Sequence, residues 1–384
     1  ALSPFAYQFD ITLSLYICRF KIRQHRLIKK PNPYFKVMNQ IQSQLYAKLE
    51  REIGNTPLVE FTGDVPNNNS ILLKRECDNP FGSHYDRVYL ELFRHFEDHR
   101  GLEQGSKVLE TTSGTAGASF AGIGKILGYD CHVAVPHGVD EAIIRAIEQQ
   151  GATFYRTPEK DYVSGFPNFL RDFLPKHPDF YFLNHSMGKR AGAGFSNNEI
   201  TLQAFEAIAK EVLAETSIDF YLPAVGNGST VLGPGRAFLE KGVRMVTFES
   251  AQAAVAYDQL YPGRYQQLFG IAPGTLPRHR LRGTSYQGID FPHIRYAVEE
   301  GMIHDAILIS DRWQNRDYHE LTGRDDLEKL PHWDQSFEGQ EDVGRSTRAG
   351  IAACLELAKS VKDKTMLIIA YDNANRYDSE SILG

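Results

Sequence analysis

Residues 113–158 read SGTAGASFAGIGKILGYDCHVAVPHGVDEAIIRAIEQQGATFYRTP. A helical pattern rich in small residues, Gly117 to Leu127, leads to the β-rich run Cys131 to Pro136. A second helical pattern, Asp140 to Gln150, is followed by Gly151 and another β-rich run. This order predicts a βαβ unit, whose crossover connections are right-handed.

The same alternation extends along most of the chain. Strands that alternate with helices form parallel sheets covered by helices, so the sequence predicts an α/β fold. The other β-rich runs are Ile71 to Lys74, Lys107 to Thr111, Phe154 to Thr157, Phe220 to Val225, Val243 to Ser250, and Met366 to Tyr371.

Composition is that of an ordinary globular protein. The 384 residues suffice for two domain-sized cores, and 42% of them are hydrophobic and 23% charged. A net charge of -6 gives no basic surface for nucleic acid or anionic membrane. The apolar stretch Ile11 to Phe20 is about half as long as a bilayer crossing requires, and it lacks the flanks of a secretory signal. We therefore expect no nucleic-acid or membrane partner.

The four cysteines are scattered and form no CxxC pair. This spacing indicates neither a zinc site nor a disulfide framework, so we expect no metal site and a reducing, cytoplasmic location.

Three segments differ from the rest of the chain. Residues 1–37 are aromatic and partly basic, and we interpret them as an extension before a natural start at Met38; an arm packing on a partner subunit is the alternative. The stretch Tyr257 to Asp290 is rich in Gly, Pro, Arg and Tyr and predicts a long ordered loop. The acidic stretch Asp325 to Asp342 favours a solvated face.

One glycine-rich loop follows the β-rich run that ends at Val225. Successive N–H groups with little side-chain bulk, ahead of a helix N-terminus, can cradle a phosphate. A plain turn is the alternative, because the spacing matches neither a Walker A loop nor GxGxxG. The loop consists of Gly226, Asn227, Gly228, Ser229 and Thr230.

A second loop leads from a β-rich run into the helix rich in small residues. Its hydroxyl and N–H groups could hold a carboxylate, although Thr112 and Ser113 could equally cap the helix. Two anion cradles in one α/β chain suggest a ligand with a phosphate and a carboxylate, held in a domain cleft. The loop consists of Thr112, Ser113, Gly114, Thr115, Ala116 and Gly117.

Three further motifs flank these loops. Gly54 to Leu58 reads GNTPL, residues 74–87 read KRECDNPFGSHYDR, and residues 371–377 read YDNANRY. In this order, the loops and motifs resemble those of the cysteine synthase, cystathionine β-synthase and tryptophan synthase β family of pyridoxal-phosphate (PLP) enzymes. The resemblance implies two open, mostly parallel twisted sheets covered by helices, with PLP in a cleft between two domains.

Tyr85 stands where that family keeps its Schiff-base lysine. The family pattern around it is otherwise present, with Glu76, Asn79, Pro80, Ser83, Asp86 and Arg87 in their places. Tyrosine cannot form a Schiff base, so PLP would be held non-covalently unless another lysine serves. The phenol could be a base only if positive charge lowered its pKa, and the neighbouring His84 is expected to point elsewhere. Conceivable substitute lysines are Lys74, Lys125 and Lys189.

The resemblance also assigns roles to the other residues. The loop 226–230 would bind the PLP phosphate, and the loop 112–117 would bind the substrate carboxylate, with Thr115 also on the cofactor. Thr115 and Ala116 replace the family's Asn and Thr, which indicates a substrate other than O-acetylserine. Asn373 replaces the serine on the pyridine nitrogen. Tyr85 could instead be a buried aromatic, and Asn373 could cap a turn.

Two functions follow from the resemblance. The first is a PLP-dependent lyase or transferase that uses Tyr85 in β-elimination or β-replacement on an amino acid. The second is an inactive pseudoenzyme that binds a small ligand or a partner subunit. A lysine replaced by design to trap a complex would more often carry a small residue.

The resemblance finally implies a division of the chain and an assembly. Residues 38–85 and 190–384 would form the larger, cofactor-binding domain, and residues 86–189 the smaller domain with the substrate loop. The protein would be a homodimer.

Overall fold

The computed structural model describes residues 33–186, 197–277, 279–281, 283–284 and 292–377. The residues of the predicted extension before residue 33, and Lys189, lie outside this part of the chain.

Ten strands form two sheets within the described residues. They are β1 (Leu58–Glu60), β2 (Ser70–Lys74), β3 (Lys107–Thr111), β4 (Asp130–Pro136), β5 (Thr153–Thr157), β6 (Phe180–Phe182), β7 (Phe220–Tyr221), β8 (Arg244–Ser250), β9 (Asp305–Ile309) and β10 (Thr365–Ile369).

Helices connect most of these strands. In the described residues they are α1 (Pro33–Glu52), α2 (Tyr85–Arg100), α3 (Ala116–Leu127), α4 (Glu141–Glu148), α5 (Phe166–Phe173), α6 (Asn197–Glu215), α7 (Ser229–Leu239), α8 (Val255–Leu260), α9 (Arg264–Phe269), α10 (Pro292–Glu299), α11 (Arg312–Thr322) and α12 (Arg345–Ala358).

The smaller sheet has the order β5-β4-β3-β6 and is entirely parallel. The larger sheet has the order β1-β2-β10-β7-β8-β9, and only the β1–β2 pair is antiparallel. Their strands are largely buried, as expected of sheets with helices on both faces. The predicted α/β fold with two mostly parallel sheets is confirmed. The four strands of the smaller sheet fall within residues 86–189, and the proposed domain boundaries stay a prediction.

The βαβ unit of residues 113–158 forms as predicted, with α3, β4, α4 and β5 in that order. Helix α3 packs closely because it is rich in small residues. A Cβ added at Gly122 would lie 2.1 Å from the ring of Phe81, so only glycine fits there without a shift. Gly128 ends the helix with φ +85°, a conformation that side chains with a Cβ rarely adopt.

Two expectations about local structure are corrected. The run Phe220 to Val225 forms a strand only at β7, because Pro223 has no N–H for the ladder. The stretch Tyr257 to Asp290 is not simply a loop, since it includes most of α8 and all of α9.

Neither a membrane-spanning helix nor a disulfide is found in the described part of the chain. None of its helices is both long and apolar enough to cross a bilayer. Cys77, Cys131 and Cys354 are buried free thiols.

Candidate active site

Tyr85 is the first residue of α2, and its ring is enclosed by other aromatic rings. The ring centroid lies 4.2 Å from that of His84, 5.1 Å from that of His185 and 5.8 Å from that of Phe205. The expectation that His84 points elsewhere is wrong: its ring is stacked on Phe205 at 5.0 Å, beside Tyr85.

The surroundings of Tyr85 keep its phenol protonated. Burial raises the pKa of Tyr85, and the carboxylates of Glu110 and Asp372 raise it further. The side chain of Asn227, in the glycine-rich loop, lowers this pKa but does not outweigh burial and the two carboxylates. At neutral pH the phenol is therefore protonated and donates hydrogen bonds rather than acting as a base.

A buried histidine and glutamate lie next to Tyr85. Nδ1 of His185 is 3.2 Å from Oε2 of Glu110 and 3.0 Å from the hydroxyl of Tyr89. The backbone N–H of His185 also donates to Glu110 Oε2 at 3.1 Å. These contacts fix the imidazole, whose ring stands at 85° to that of Tyr85. Sequence reasoning missed this pair, although Glu110 is an acidic residue inside a predicted strand.

The loop at 226–230 begins α7 and has the form of an anion cradle. Gly228 has φ +88°, and a Cβ there would lie 2.6 Å from Cβ of His293, so the loop requires glycine. The N–H of Ser229 donates to Oδ1 of Asn227 at 2.9 Å. Ser229 is 1% exposed, and its hydroxyl has no hydrogen-bond partner in the described part of the chain.

These features of the loop fit the phosphate of PLP. A buried hydroxyl without a partner costs free energy, and a phosphate at the helix N-terminus would satisfy it.

The loop at 112–117 leads into α3, whose first two residues are Ala116 and Gly117, and it is ordered by its own hydrogen bonds. The hydroxyl of Thr112 accepts from the N–H of Gly114 at 3.1 Å and donates to the carbonyl of the same residue at 3.2 Å. Thr115, not Thr112 or Ser113, is the N-cap residue of α3. The hydroxyl of Thr115 lies 3.3 Å from that of Ser83, two residues before Tyr85.

In the closing motif, residues 371–377, the side chains of Asp372 and Asn373 have different hydrogen-bond partners. Asn373 donates from Nδ2 to the carbonyl of Cys77 at 2.9 Å. Asp372 is 4% exposed and accepts a 2.8 Å hydrogen bond from the Tyr377 hydroxyl at Oδ2, while Oδ1 has no partner among the described residues. Burial raises the pKa of Asp372 to about 6, against hydrogen bonds and the nearby guanidinium groups.

Of the candidate substitute lysines, the structure describes Lys74 and Lys125, and neither provides a free amine at the position of Tyr85. Lys74 is fully buried, and its Nζ lies 2.5 Å from the carbonyl oxygen of Thr56 and 2.7 Å from Oε2 of Glu211. Lys125 is exposed on α3.

Lys74 belongs to a buried ion network behind Tyr85. Arg87 pairs with Glu76 through Nε at 2.7 Å and with Glu211 through Nη1 at 2.6 Å. Burial alone would raise the pKa of Glu211, but Arg87 and Lys74 outweigh burial and lower that pKa to about 2. The network joins β2, α2 and α6.

Within the described residues, no group of three or more His, Cys, Asp and Glu side chains is placed to hold an ion.

Known proteins match this chain over most of its length. A family model described as "Pyridoxal-phosphate dependent enzyme" matches residues 49–308. A cysteine synthase from Aquifex aeolicus is 26% identical over 321 residues, which cover 81% of this chain and 83% of that protein. A probable cysteine synthase from Bacillus subtilis is 28% identical over 337 residues, covering 86% and 95% of the two chains.

Solved structures match the fold. A hydrogen sulfide-producing enzyme from Fusobacterium nucleatum superposes with a TM-score of 0.68 at 19% identity, covering 86% of this chain and 99% of that one. An O-acetylserine dependent cystathionine beta-synthase from Helicobacter pylori also has a TM-score of 0.68, at 22% identity, with coverages of 87% and 97%. At these identities the likeness concerns the architecture.

Proposed function

The chain belongs to the pyridoxal-phosphate dependent enzyme family and is cysteine synthase-like, and from this premise we propose a non-covalent PLP enzyme. Its substrate is an amino acid with a leaving group on Cβ, and its reaction is a β-elimination or a β-replacement. Tyr85 acts in place of the lysine.

One observation carries the proposal: the ring of Tyr85 stands edge-on to the imidazole of His185, with 5.1 Å between the centroids, and Glu110 holds that imidazole. This contact supports a role for the tyrosine beyond filling the core. In the loop 226–230, the unpartnered hydroxyl of Ser229 supports binding of the cofactor phosphate.

The two loops bind and orient the ligands. The N–H groups and hydroxyls of the loop 226–230 hold the phosphate, and those of the loop 112–117 hold the substrate carboxylate. Bound PLP supplies electron withdrawal from the substrate Cα. With the phosphate and the carboxylate both fixed, the substrate Cα and Cβ are held between the loops, near Tyr85.

Two side chains handle the protons. The imidazole of His185, held by Glu110 and Tyr89, accepts the proton from the substrate Cα. The protonated phenol of Tyr85 donates a hydrogen bond to the departing β-substituent, whose bond to Cβ breaks with the electron pair on the substituent. The two rings are in edge-to-face contact, so one bound substrate can reach both.

A second candidate function is a pseudoenzyme that binds PLP or a similar ligand without turnover. It is favoured by the Lys74 amine, which is bound by Glu211 and the Thr56 carbonyl and so cannot take over from the missing lysine. The phenol of Tyr85, with its raised pKa, also cannot serve as a ready base.

An absorbance spectrum with added PLP, before and after borohydride, tests the mode of binding. We expect a band of the free aldehyde that shifts when an amino acid is added, and no PLP fixed to any peptide after reduction. Tyr85→Lys should yield PLP fixed at residue 85, and Tyr85→Phe should not. PLP fixed to a lysine of the unaltered protein, or no binding of PLP at all, would refute the proposal.

Exchange of the substrate Cα proton with deuterium, followed by NMR, separates the enzyme from the pseudoenzyme. The proposal predicts exchange in the PLP-loaded protein and a loss of roughly 100-fold or more in His185→Gln. PLP binding without any exchange would favour the pseudoenzyme.

We further propose, from the resemblance alone, that the protein is a homodimer of the cytoplasm. Light scattering coupled to size-exclusion chromatography would give its mass in solution, and a monomer would exclude the dimer.

A further inference from the structure

Arg345, the first residue of α12, is a buried cation. It is 1% exposed, and arginine is rarely buried so completely unless its charge is paired. Its Nη1 donates to the carbonyl oxygen of Arg280 at 3.0 Å, and its guanidinium carbon lies 4.5 Å from the centroid of the Tyr377 ring. These two contacts orient the guanidinium group but supply no negative charge.

The negative charge comes from Asp140, the residue directly before α4. Its Oδ1 lies 3.5 Å from Nη2 of Arg345, and the two side chains are nearly buried, so salt and water screen the pair little. Helix α4 connects β4 to β5 of the smaller sheet, whereas α12 packs against β9 and β10 of the larger sheet. The ion pair therefore joins a helix of the smaller sheet to a helix of the larger one.

Helix α4 also supports the loop 112–117. A Cβ added at Gly117 would lie 2.6 Å from Cδ1 of Ile147 on α4 and 2.8 Å from Cγ2 of Thr112. The glycine thus lets the loop and the helix pack closely. Because close-packed side chains transmit displacements, a shift of α4 would move the loop with it.

The loop 226–230 belongs to the other sheet. It lies between β7 of the larger sheet and α7. A ligand with a phosphate and a carboxylate would therefore be held by one loop from each sheet. Its affinity depends on the distance between the loops, because both groups bind at once only when that distance matches the ligand.

We propose that Arg345 is a positioning residue: its ion pair with Asp140 fixes α4, and with it the loop 112–117, at the distance from the loop 226–230 that such a ligand requires. The inference rests on the proposed function, in which the two loops bind the phosphate and the carboxylate. Because the ion pair belongs to the protein itself, it holds the loops before a ligand binds. Less of the binding free energy is then spent on ordering them.

The test compares two ligands, N-phosphopyridoxyl-L-alanine and N-phosphopyridoxyl-ethylamine, which differ only by the carboxylate. Equilibrium dialysis would give both dissociation constants for the unaltered protein, Asp140→Asn and Glu148→Gln. Asparagine removes the charge at residue 140 but keeps its size and is equally favoured before a helix. Glu148→Gln is the matched control, since it removes an exposed charge from the other end of α4. The ratio of the two constants within each protein is the readout.

We expect the unaltered protein and Glu148→Gln to prefer the alanine derivative by about tenfold or more, because it engages both loops. Asp140→Asn should reduce this preference to about threefold or less, while its affinity for the ethylamine derivative stays within about threefold of the original, since that ligand engages one loop. A general loss of stability would weaken both ligands alike.

Three outcomes would contradict the inference or the function beneath it. A preference that survives Asp140→Asn, or one that Glu148→Gln loses equally, would overturn the inference alone. Equal binding of the two ligands by the unaltered protein would also overturn it, because the loop 112–117 would then not hold the carboxylate. If the unaltered protein bound neither ligand, the proposed function would fail, and the inference with it.

Hydrogen exchange in the unaltered protein covers the case in which Asp140→Asn does not fold. The backbone N–H groups of residues 139–148 should exchange slowly before a ligand is added, and their rates should change by less than about twofold when N-phosphopyridoxyl-L-alanine binds. A larger slowing would contradict the inference, since the ligand rather than the ion pair would then hold α4.

Discussion

Glu76→Gln should destabilise the protein strongly, because Glu76 is the fully buried anion of the network behind Tyr85. Its Oε1 accepts from the Thr56 hydroxyl at 2.7 Å and from Nη2 of Arg87 at 2.8 Å. Its Oε2 accepts from Nε of Arg87 at 2.7 Å and from Nδ2 of Asn79 at 2.9 Å. All four contacts are donors facing the carboxylate.

Glutamine keeps the shape of Glu76 but turns one acceptor oxygen into an NH₂ group. Two of the four contacts then oppose donor to donor, and within the described residues Arg87 retains only Glu211 as a carboxylate partner. Breaking a buried ion pair from one side costs about 3–5 kcal/mol. This is a large part of the roughly 5–15 kcal/mol by which folded proteins are stable.

The assay is urea unfolding followed by circular dichroism at neutral pH. Glu50→Gln is the matched control, since Glu50 pairs with Arg94 at 2.6 Å but its side chain is 52% exposed, and its loss should cost less than about 1 kcal/mol. If both variants lost the same small free energy of unfolding, with unchanged dependence on urea, the reasoning about the network would be refuted.

Two further predictions concern residues around Phe81. Burial raises the pKa of Asp86 to about 7 despite hydrogen bonds from Ser119 and the Phe81 N–H. The carboxyl group therefore ionises at a lower pH in the unfolded protein than in the folded one. The unaltered protein should therefore lose stability as the pH rises from about 4 to about 7, whereas Asp86→Asn should lack this pH-dependent loss. Equal pH profiles of the two proteins in urea unfolding would contradict the prediction. Gly122→Ala would place a Cβ 2.1 Å from the Phe81 ring and should cost about 1–3 kcal/mol, despite the better helix propensity of alanine. Adding Phe81→Leu should recover part of this loss, and an unchanged thermal midpoint in Gly122→Ala alone would contradict the overlap.

The local pattern of apolar and β-branched residues was enough to predict the strands that are buried on both faces. The run Lys107 to Thr111 coincides with β3, and Cys131 to Pro136 lies within β4. The missed strands β1 and β6 have three residues each, too few for a periodic signal. These two strands form because a neighbouring strand offers backbone N–H and C=O groups for pairing. By contrast, β9 does contain a signal, the apolar run Ala306 to Ile309, which was overlooked.

The motifs predicted which loops surround the site, but not which side chains meet there. Glu110 and His185 are 75 residues apart, and only the pairing of β3 with β6 brings them together. His84 lies beside Tyr85 with its ring stacked on Phe205 and its Nδ1 3.2 Å from the carbonyl oxygen of Tyr371.

The environment of Lys74 has a consequence for genetic screens. In a protein whose family depends on a catalytic lysine, an obvious experiment is to replace each lysine in turn and ask which replacement abolishes function. Such a screen would register Lys74, because removing its ammonium group would leave the carboxylate of Glu211 and the carbonyl of Thr56 without their shared partner. The loss would reflect degraded or insoluble protein, and a complementation assay without a measure of abundance would report it as a false catalytic residue.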